Sequence, residues 1–346
     1  MSHNNARVLE CPCMTEKLSK TMAKVRIVYL TIILLSCFVV THAQKKRALL
    51  VGLSEYAPNT GWNKIHGTND IDLIKTKLIG YSIKELRNSN ATYNNIISEL
   101  HYLEKESKEG DTIYIHLSGH GQPVEDYDFD EPDGWDESFI PYDAHMVYNR
   151  YIYDGRKHLT DDILHHHYEL LRRKIGVHGA LIVAIDACHS GESYRGDDEQ
   201  EDFCLIDDEI VDDCILDSAI TDIDEYVYYE RGTALGFSKN KKEYRVKKNV
   251  AKNKIVINKQ GSLSTILILE SCLSSQKSVE LDILIKDKKG ATKHYLCGPL
   301  SYCIYKNICR KKDISTNMDW VASLNDIFSH VMYGRGRQQL VIEYSE

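Results

Sequence analysis

Asp186-Ala187-Cys188-His189-Ser190-Gly191 closes the apolar run 179–186, and this stretch decides the fold. An uninterrupted apolar run suits a strand buried on both faces of a parallel sheet. It stops at a small, flexible turn that carries a thiol. Upstream, Tyr114-Ile115-His116-Leu117-Ser118-Gly119-His120-Gly121 repeats the design with an imidazole in place of the thiol. Parallel α/β sheets present functional groups at the carboxyl ends of their strands. Two such ends side by side bring Cys188 within reach of His120, the arrangement of a cysteine nucleophile activated by a neighbouring base. Either residue alone reads more simply, as a buried structural thiol or a satisfied core histidine. Paired glycine-containing loops favour the chemical reading.

Working outward, strands alternate with helical stretches. The run 46–53 reads as a buried first strand, and 111–118 and 179–186 as further strands. Thr68 or Asn69 is placed to cap a helix through Ile71, Ile74 and Leu78. Helices are also expected over 92–107, 161–174 (capped by Thr160), 299–310 and 319–331. Further strands are expected at 83–86, 138–142, 232–237, 264–269 and 339–344. This alternation predicts an open, doubly wound α/β sheet with helices on both faces.

The chain has 346 residues, 42% of them hydrophobic, enough for a sizeable core. A net charge of −8 argues against a nucleic-acid partner, which calls for a basic footprint. Residues 197–230 are acidic without Lys or Arg, whereas 239–259 are rich in both.

Lys24 and Arg26 precede the apolar run 27–40, and Thr41-His42-Ala43 supplies small residues at −3 and −1. Residues 1–43 therefore read as a secretory signal peptide cleaved after Ala43. A secreted, periplasmic or cell-surface protein is expected. The run is short of the roughly 20 apolar residues that span a bilayer. A lipoprotein-type site at Leu34-Leu35-Ser36-Cys37 and a retained anchor are the alternatives. Seven cysteines would remain after processing, at 188, 204, 214, 272, 297, 303 and 309, an odd number that leaves one thiol over.

The two loops, together with the acidic run between them, resemble the corresponding segments of metacaspases, caspase-like cysteine peptidases of clan CD (peptidase C14). The matching motifs are Ser-Gly-His-Gly at 118–121, Asp130-Glu131-Pro132-Asp133-Gly134-Trp135-Asp136-Glu137 with Pro141 and Asp143, Asp-x-Cys-His-Ser-Gly at 186–191, and Gly67-x-Asn69-Asp70. A fainter tail of likeness lies in Glu270-Ser271-Cys272, Gln276, Glu280 and Gly298-Pro299-Leu300.

The resemblance implies a caspase-like α/β fold with a mostly parallel six-stranded sheet. Its parts would be a large-subunit-like half over 44–195, a charged insertion or linker over 196–260, and a small-subunit-like half over 261–346. It also implies a monomeric endopeptidase acting on proteins or peptides. His120 and Cys188 would be catalytic, with the backbone N–H groups of Gly121 and Cys188 as oxyanion donors. Asp70, Ser118 and Asp186 would line the pocket for the residue before the scissile bond. Two buried acids there call for a cationic partner, hence Arg or Lys. From sequence alone Asp70 also reads as a plain helix cap, and Asp186 as a strand end.

Calcium activation is implied through Asp136, Asp161, Asp162 and Asp197, the last two residues beyond the usual family spacing. Hard cations favour such carboxylate sets. The segment 125–137 is not an EF-hand, because Glu131 stands where glycine is needed. No cofactor is required for the chemistry itself. His165-His166-His167 reads as a solvated helix face, since consecutive helical positions diverge by about 100°. The basic stretch suggests self-processing near 239–248. Two competing readings remain: a clostripain- or gingipain-like protease, and a catalytically silent caspase-like regulatory or binding domain.

Overall fold

The computed structural model describes residues 44–129, 131, 134–188, 220–223, 231, 235–239, 244, 254–258, 263–273, 278–286, 292–332 and 338–345, with Met22, Lys24 and Arg26. Internal contacts divide the chain between Ala43 and Gln44. Of the first unit only Met22, Lys24 and Arg26 are described, and they are helical; Cys37 and the Ala43 junction lie outside the described residues. Among the described residues no helix is long and apolar enough to cross a membrane.

The second unit is built on a seven-stranded sheet, one strand more than expected. Its strands are β1 (Lys46–Gly52), β2 (Tyr81–Arg87), β3 (Thr112–Ser118), β7 (Ala180–Asp186), β10 (Thr265–Glu270), β13 (Val341–Ser345) and β9 (Lys254–Asn258), in the order β2-β1-β3-β7-β10-β13-β9. The pairs β2–β1, β1–β3, β3–β7 and β7–β10 are parallel. β13 runs antiparallel to β10, and β9 pairs parallel to β13. β9 is the additional strand. It comes from the charged insertion, where lysine-rich sequence hid the short apolar alternation.

Period-two alternation puts each central strand in two cores. Ala48, Leu50, Tyr114, Ile182, Ala184, Leu267 and Leu269 enter one of them. That core is covered by α1 (Gly67–Lys75), α4 (Pro299–Lys311) and α5 (Met318–Met332). Leu49, Val51, Ile113, Ile115, Leu181, Val183 and Ile268 face the other way, beneath α2 (Tyr93–Glu106) and α3 (Asp161–Ile175). The expected doubly wound arrangement is present.

Several local expectations are corrected. α1 begins at Gly67 with His66 as N-cap, so neither Thr68 nor Asn69 caps it, and Asp70 sits in the first turn. The strand expected at 138–142 runs from Trp135 to Phe139 (β5), antiparallel to β4 (Gly121–Glu125), with the short β6 (Leu159–Thr160) beside it. Residues 232–237 yield no strand among the described residues; Phe237 makes a single bridge to Val124. A separate three-stranded sheet of β8 (Ile220–Ile223), β11 (Leu281–Lys286) and β12 (Thr292–Cys297) had no counterpart in the sequence reading. Cys204, Cys214 and Asp197 lie outside the described residues.

Candidate active site

The parallel register of β3 and β7 pairs Ser118 with Asp186, so both strands end at the same level. Gly119 N–H donates to the Asp186 carbonyl at 3.3 Å, fastening the two turns together. A Cβ on Gly121 would fall on the carbonyl oxygen of Cys188. Only glycine permits this approach of the histidine loop to the cysteine loop. Cys188 and His120 are both buried.

Each reactive group is held. His120 Nε2 lies 2.9 Å from the Asn63 carbonyl, which only accepts, so the proton is on Nε2 and the lone pair on Nδ1. Nδ1 makes no hydrogen bond among the described residues. Trp62 stacks on the ring at 4.9 Å, and His120 N–H donates to Tyr56 Oη at 2.7 Å. Burial lowers the His120 pKa, opposed by the backbone carbonyls of Asn63 and Arg231. Cys188 Sγ accepts the N–H of Ser278 at 2.8 Å and faces the carbonyl of the same residue at 3.5 Å.

The residue the sequence reading missed is Arg231. Its side chain is fully buried between carboxylates. Nη1 donates to Asp70 Oδ2 at 2.5 Å and to Ser118 Oγ at 2.9 Å, and Nη2 donates to Glu280 Oε1 at 2.9 Å. Asp186 Oδ1 stands 3.7 Å from Nη1. Asp70, Ser118 and Asp186 thus meet around one guanidinium, and Glu280 adds a third acid. Glu280 is braced by His66, whose backbone N–H and Nδ1 each contact it at 2.7 Å.

The amino end of α4 faces the same group: Gly298 N–H donates to Asp70 Oδ1 and Ser301 N–H to Asp186 Oδ2, each at 2.7 Å. A helix amino terminus offers unpaired N–H groups and a positive dipole end, which suits clustered anions. Burial pushes Asp70 up to about 6; Arg231 pulls it down and Asp186 pushes it up. Burial would also raise Glu280, but Arg231 and His66 outweigh it and hold that carboxyl below its usual range. Burial acts to lower Arg231, and Asp70, Glu280 and Asp186 more than reverse it.

The backbone of Arg231 is held as firmly as its side chain. Its carbonyl accepts the Gly121 N–H at 3.0 Å, and its N–H donates to the Ser278 carbonyl at 3.0 Å. Downstream, Gln122 Nε2 donates to the Leu235 carbonyl at 2.7 Å. Phe237 exchanges backbone hydrogen bonds with β4 through Pro123 O (2.8 Å) and Glu125 N (2.9 Å). No sequence signal marked Arg231, because a single arginine after an acidic run has no periodicity.

Asp136, Asp161 and Asp162 bring carboxylate oxygens within 4.8 Å of one another at the amino end of α3. Burial, then Asp162 and Asp136, push Asp161 up to about 9. An all-oxygen donor set of this charge fits a hard divalent cation. The neighbouring Asp126 behaves differently: its carboxylate accepts the N–H groups of Asp128, Phe129 and Glu131, closing a turn. His167 departs from the solvated-face reading. It is buried, with Nδ1 on Glu104 Oε1 of α2 at 2.5 Å.

A cluster of buried acids, a buried thiol and a clamped imidazole therefore lie together at the carboxyl ends of β3 and β7. Residues 46–195 match the description "Metacaspase, peptidase C14 domain". Among curated relatives, Metacaspase-1B of Neurospora crassa is 35% identical over 103 residues, 30% of this chain and 21% of the relative. Metacaspase-1 of Meyerozyma guilliermondii is 31% identical over 160 residues, 42% of this chain and 35% of the relative. The match therefore spans about a third or less of those relatives. A structural-genomics protein of Geobacter sulfurreducens superposes with a TM-score of 0.51 at 17% identity, covering 87% of this chain and 93% of that one, a likeness of fold alone. Residues 46–195 thus match the metacaspase peptidase C14 domain, and the chain carries a mixed, mostly parallel seven-stranded sheet with helices on both faces.

Proposed function

We propose that this chain is a cysteine endopeptidase that cleaves after Arg or Lys through Cys188 and His120. The observation that carries the reading is the seat of Arg231: guanidinium among Asp70, Ser118 and Glu280, carbonyl on the Gly121 N–H. A bound substrate would place its own arginine or lysine and its scissile carbonyl there. Cys188 Sγ attacks that carbon, and its proton passes to His120 Nδ1. Gly121 N–H steadies the developing oxyanion. The C–N bond breaks as His120 returns the proton to the leaving amine. Water then releases the acyl group and regenerates the thiol.

The chain's own first scissile bond is Arg231–Gly232. The basic stretch 239–248, favoured by composition, lies largely outside the described residues, and Arg231 is the residue found in the pocket. Calcium held by Asp136, Asp161 and Asp162 would offset their mutual repulsion. Export by the leader 1–43 completes the reading. Fluorogenic Arg and Lys peptides, assayed with calcium or chelator and against Cys188→Ala, test the activity. Hydrolysis that survives Cys188→Ala would refute it, and no hydrolysis by a well-folded chain would favour the silent domain.

A further inference from the structure

We propose that Tyr114, His116 and Ser301 form a buried positioning relay that aims Asp186 at the cation in the specificity pocket; this rests on the pocket reading above. Tyr114, His116 and Ser118 alternate onto one face of β3, beneath α4. The first two are fully buried and polar, an expensive choice in a core unless every group is paired.

The pairing fixes every proton. Asp186 Oδ2 accepts both the N–H and the Oγ–H of Ser301, each at 2.7 Å. With its hydrogen committed there, Ser301 Oγ accepts from His116 Nε2 at 3.0 Å. His116 therefore carries its proton on Nε2, and Nδ1 accepts the Tyr114 hydroxyl at 2.7 Å. Burial, then Arg231, lowers the His116 pKa to about 3, so the ring is neutral and keeps this single tautomer. The chain runs one way, from phenol to imidazole to hydroxyl to carboxylate.

Its effect is to divide the labour of the two Asp186 oxygens. Oδ2 is taken by Ser301, and Oδ1 has no hydrogen-bond donor among the described residues. Oδ1 is the oxygen 3.7 Å from the Arg231 guanidinium. A carboxylate free to rotate would turn both oxygens toward the strongest donor. Held by Ser301, it presents one oxygen to the guest and contributes charge at a set distance. The three residues bond to one another and to Asp186, so they act on the guest through Asp186.

The test uses the full chain carrying Cys188→Ala and Arg231→Ala, which blocks self-cleavage and vacates the pocket. Agmatine, a decarboxylated arginine, is titrated by calorimetry. Ser301→Ala and His116→Phe should each weaken agmatine binding by at least about tenfold, the scale of one hydrogen bond to a charged group. His116→Gln, which keeps an N–H donor, should restore most of the loss. If Ser301→Ala does not fold, the two His116 variants decide the matter. Equal affinity in the parent and these variants, or lowered melting temperature with unchanged affinity, would overturn the relay and leave the pocket reading intact. No agmatine binding by the parent would overturn both.

Discussion

The carbonyl of Arg231 lies on the amide of Gly121, 3.0 Å away, while the guanidinium of the same residue is sunk among Asp70, Glu280 and Asp186. In the proposed reading one residue thus spans the charge-recognition pocket and the oxyanion position. Removing one oxyanion donor typically costs about 10²–10³ in turnover. Gly121→Ala should cost at least that much, because the added methyl also collides with the Cys188 carbonyl. Steady-state turnover of an Arg peptide, with circular dichroism to check folding, measures it. A folded variant within a few fold of the parent would remove Gly121 from the mechanism.

Asp70 gives the pocket a pH dependence. Its pKa is about 6 with Arg231 in place, and the guanidinium pulls it down, so it is higher in a vacated pocket. Binding a cation therefore expels a proton, and affinity strengthens as pH rises through that range. KM for Arg peptides should rise as pH falls below about 7. A KM for Arg peptides that stays constant between about pH 5 and pH 8 would reject this assignment. For stability the sign is opposite: a carboxyl raised from 3.8 to about 6 contributes stability below 3.8 that is lost as pH rises through 6.

Gly298 lies at the mouth of α4, where a Cβ would strike the Asp186 carboxylate. Gly298→Ala should destabilise the fold by about 1–3 kcal/mol through overpacking, and raise KM with it. Denaturant midpoints and KM check both effects; wild-type values in each would mean the helix end has room to shift.

The acidic trio should respond to a hard cation. Calcium binding to the Cys188→Ala chain, measured by calorimetry, should be weakened at least about tenfold by Asp161→Asn, since affinity follows ligand charge. Identical binding by the variant would place calcium elsewhere.

Trp62 stacks on His120, and the Asn63 carbonyl fixes its tautomer. Trp62→Ala should lower kcat by about tenfold or more with little change in KM, since orientation matters in the transition state. An effect confined to KM would show that Trp62 touches substrate instead.

The alternation of Ile113, Ile115 and Leu117 against Tyr114, His116 and Ser118 made β3 legible, and the unbroken run Ala180–Asp186 did the same for β7. Both ends of the site came from those strands. Asp70 was ambiguous because α1 starts three residues earlier, ahead of its capping signals. Glu280 and Ser301 were invisible as pocket residues, since their roles arise from contacts more than a hundred positions apart in sequence. His167 was misjudged because the helix rule says where side chains point and nothing about Glu104 on the facing helix. Arg231 could be found only in three dimensions.

The most direct measurement is intact-mass and amino-terminal analysis of the purified full-length chain beside its Cys188→Ala variant. The account expects a new amino terminus at Gly232 in the parent, increased by calcium, and an uncut chain in the variant. A parent left whole under conditions where it hydrolyses Arg peptides, or cut identically when the thiol is gone, would contradict it.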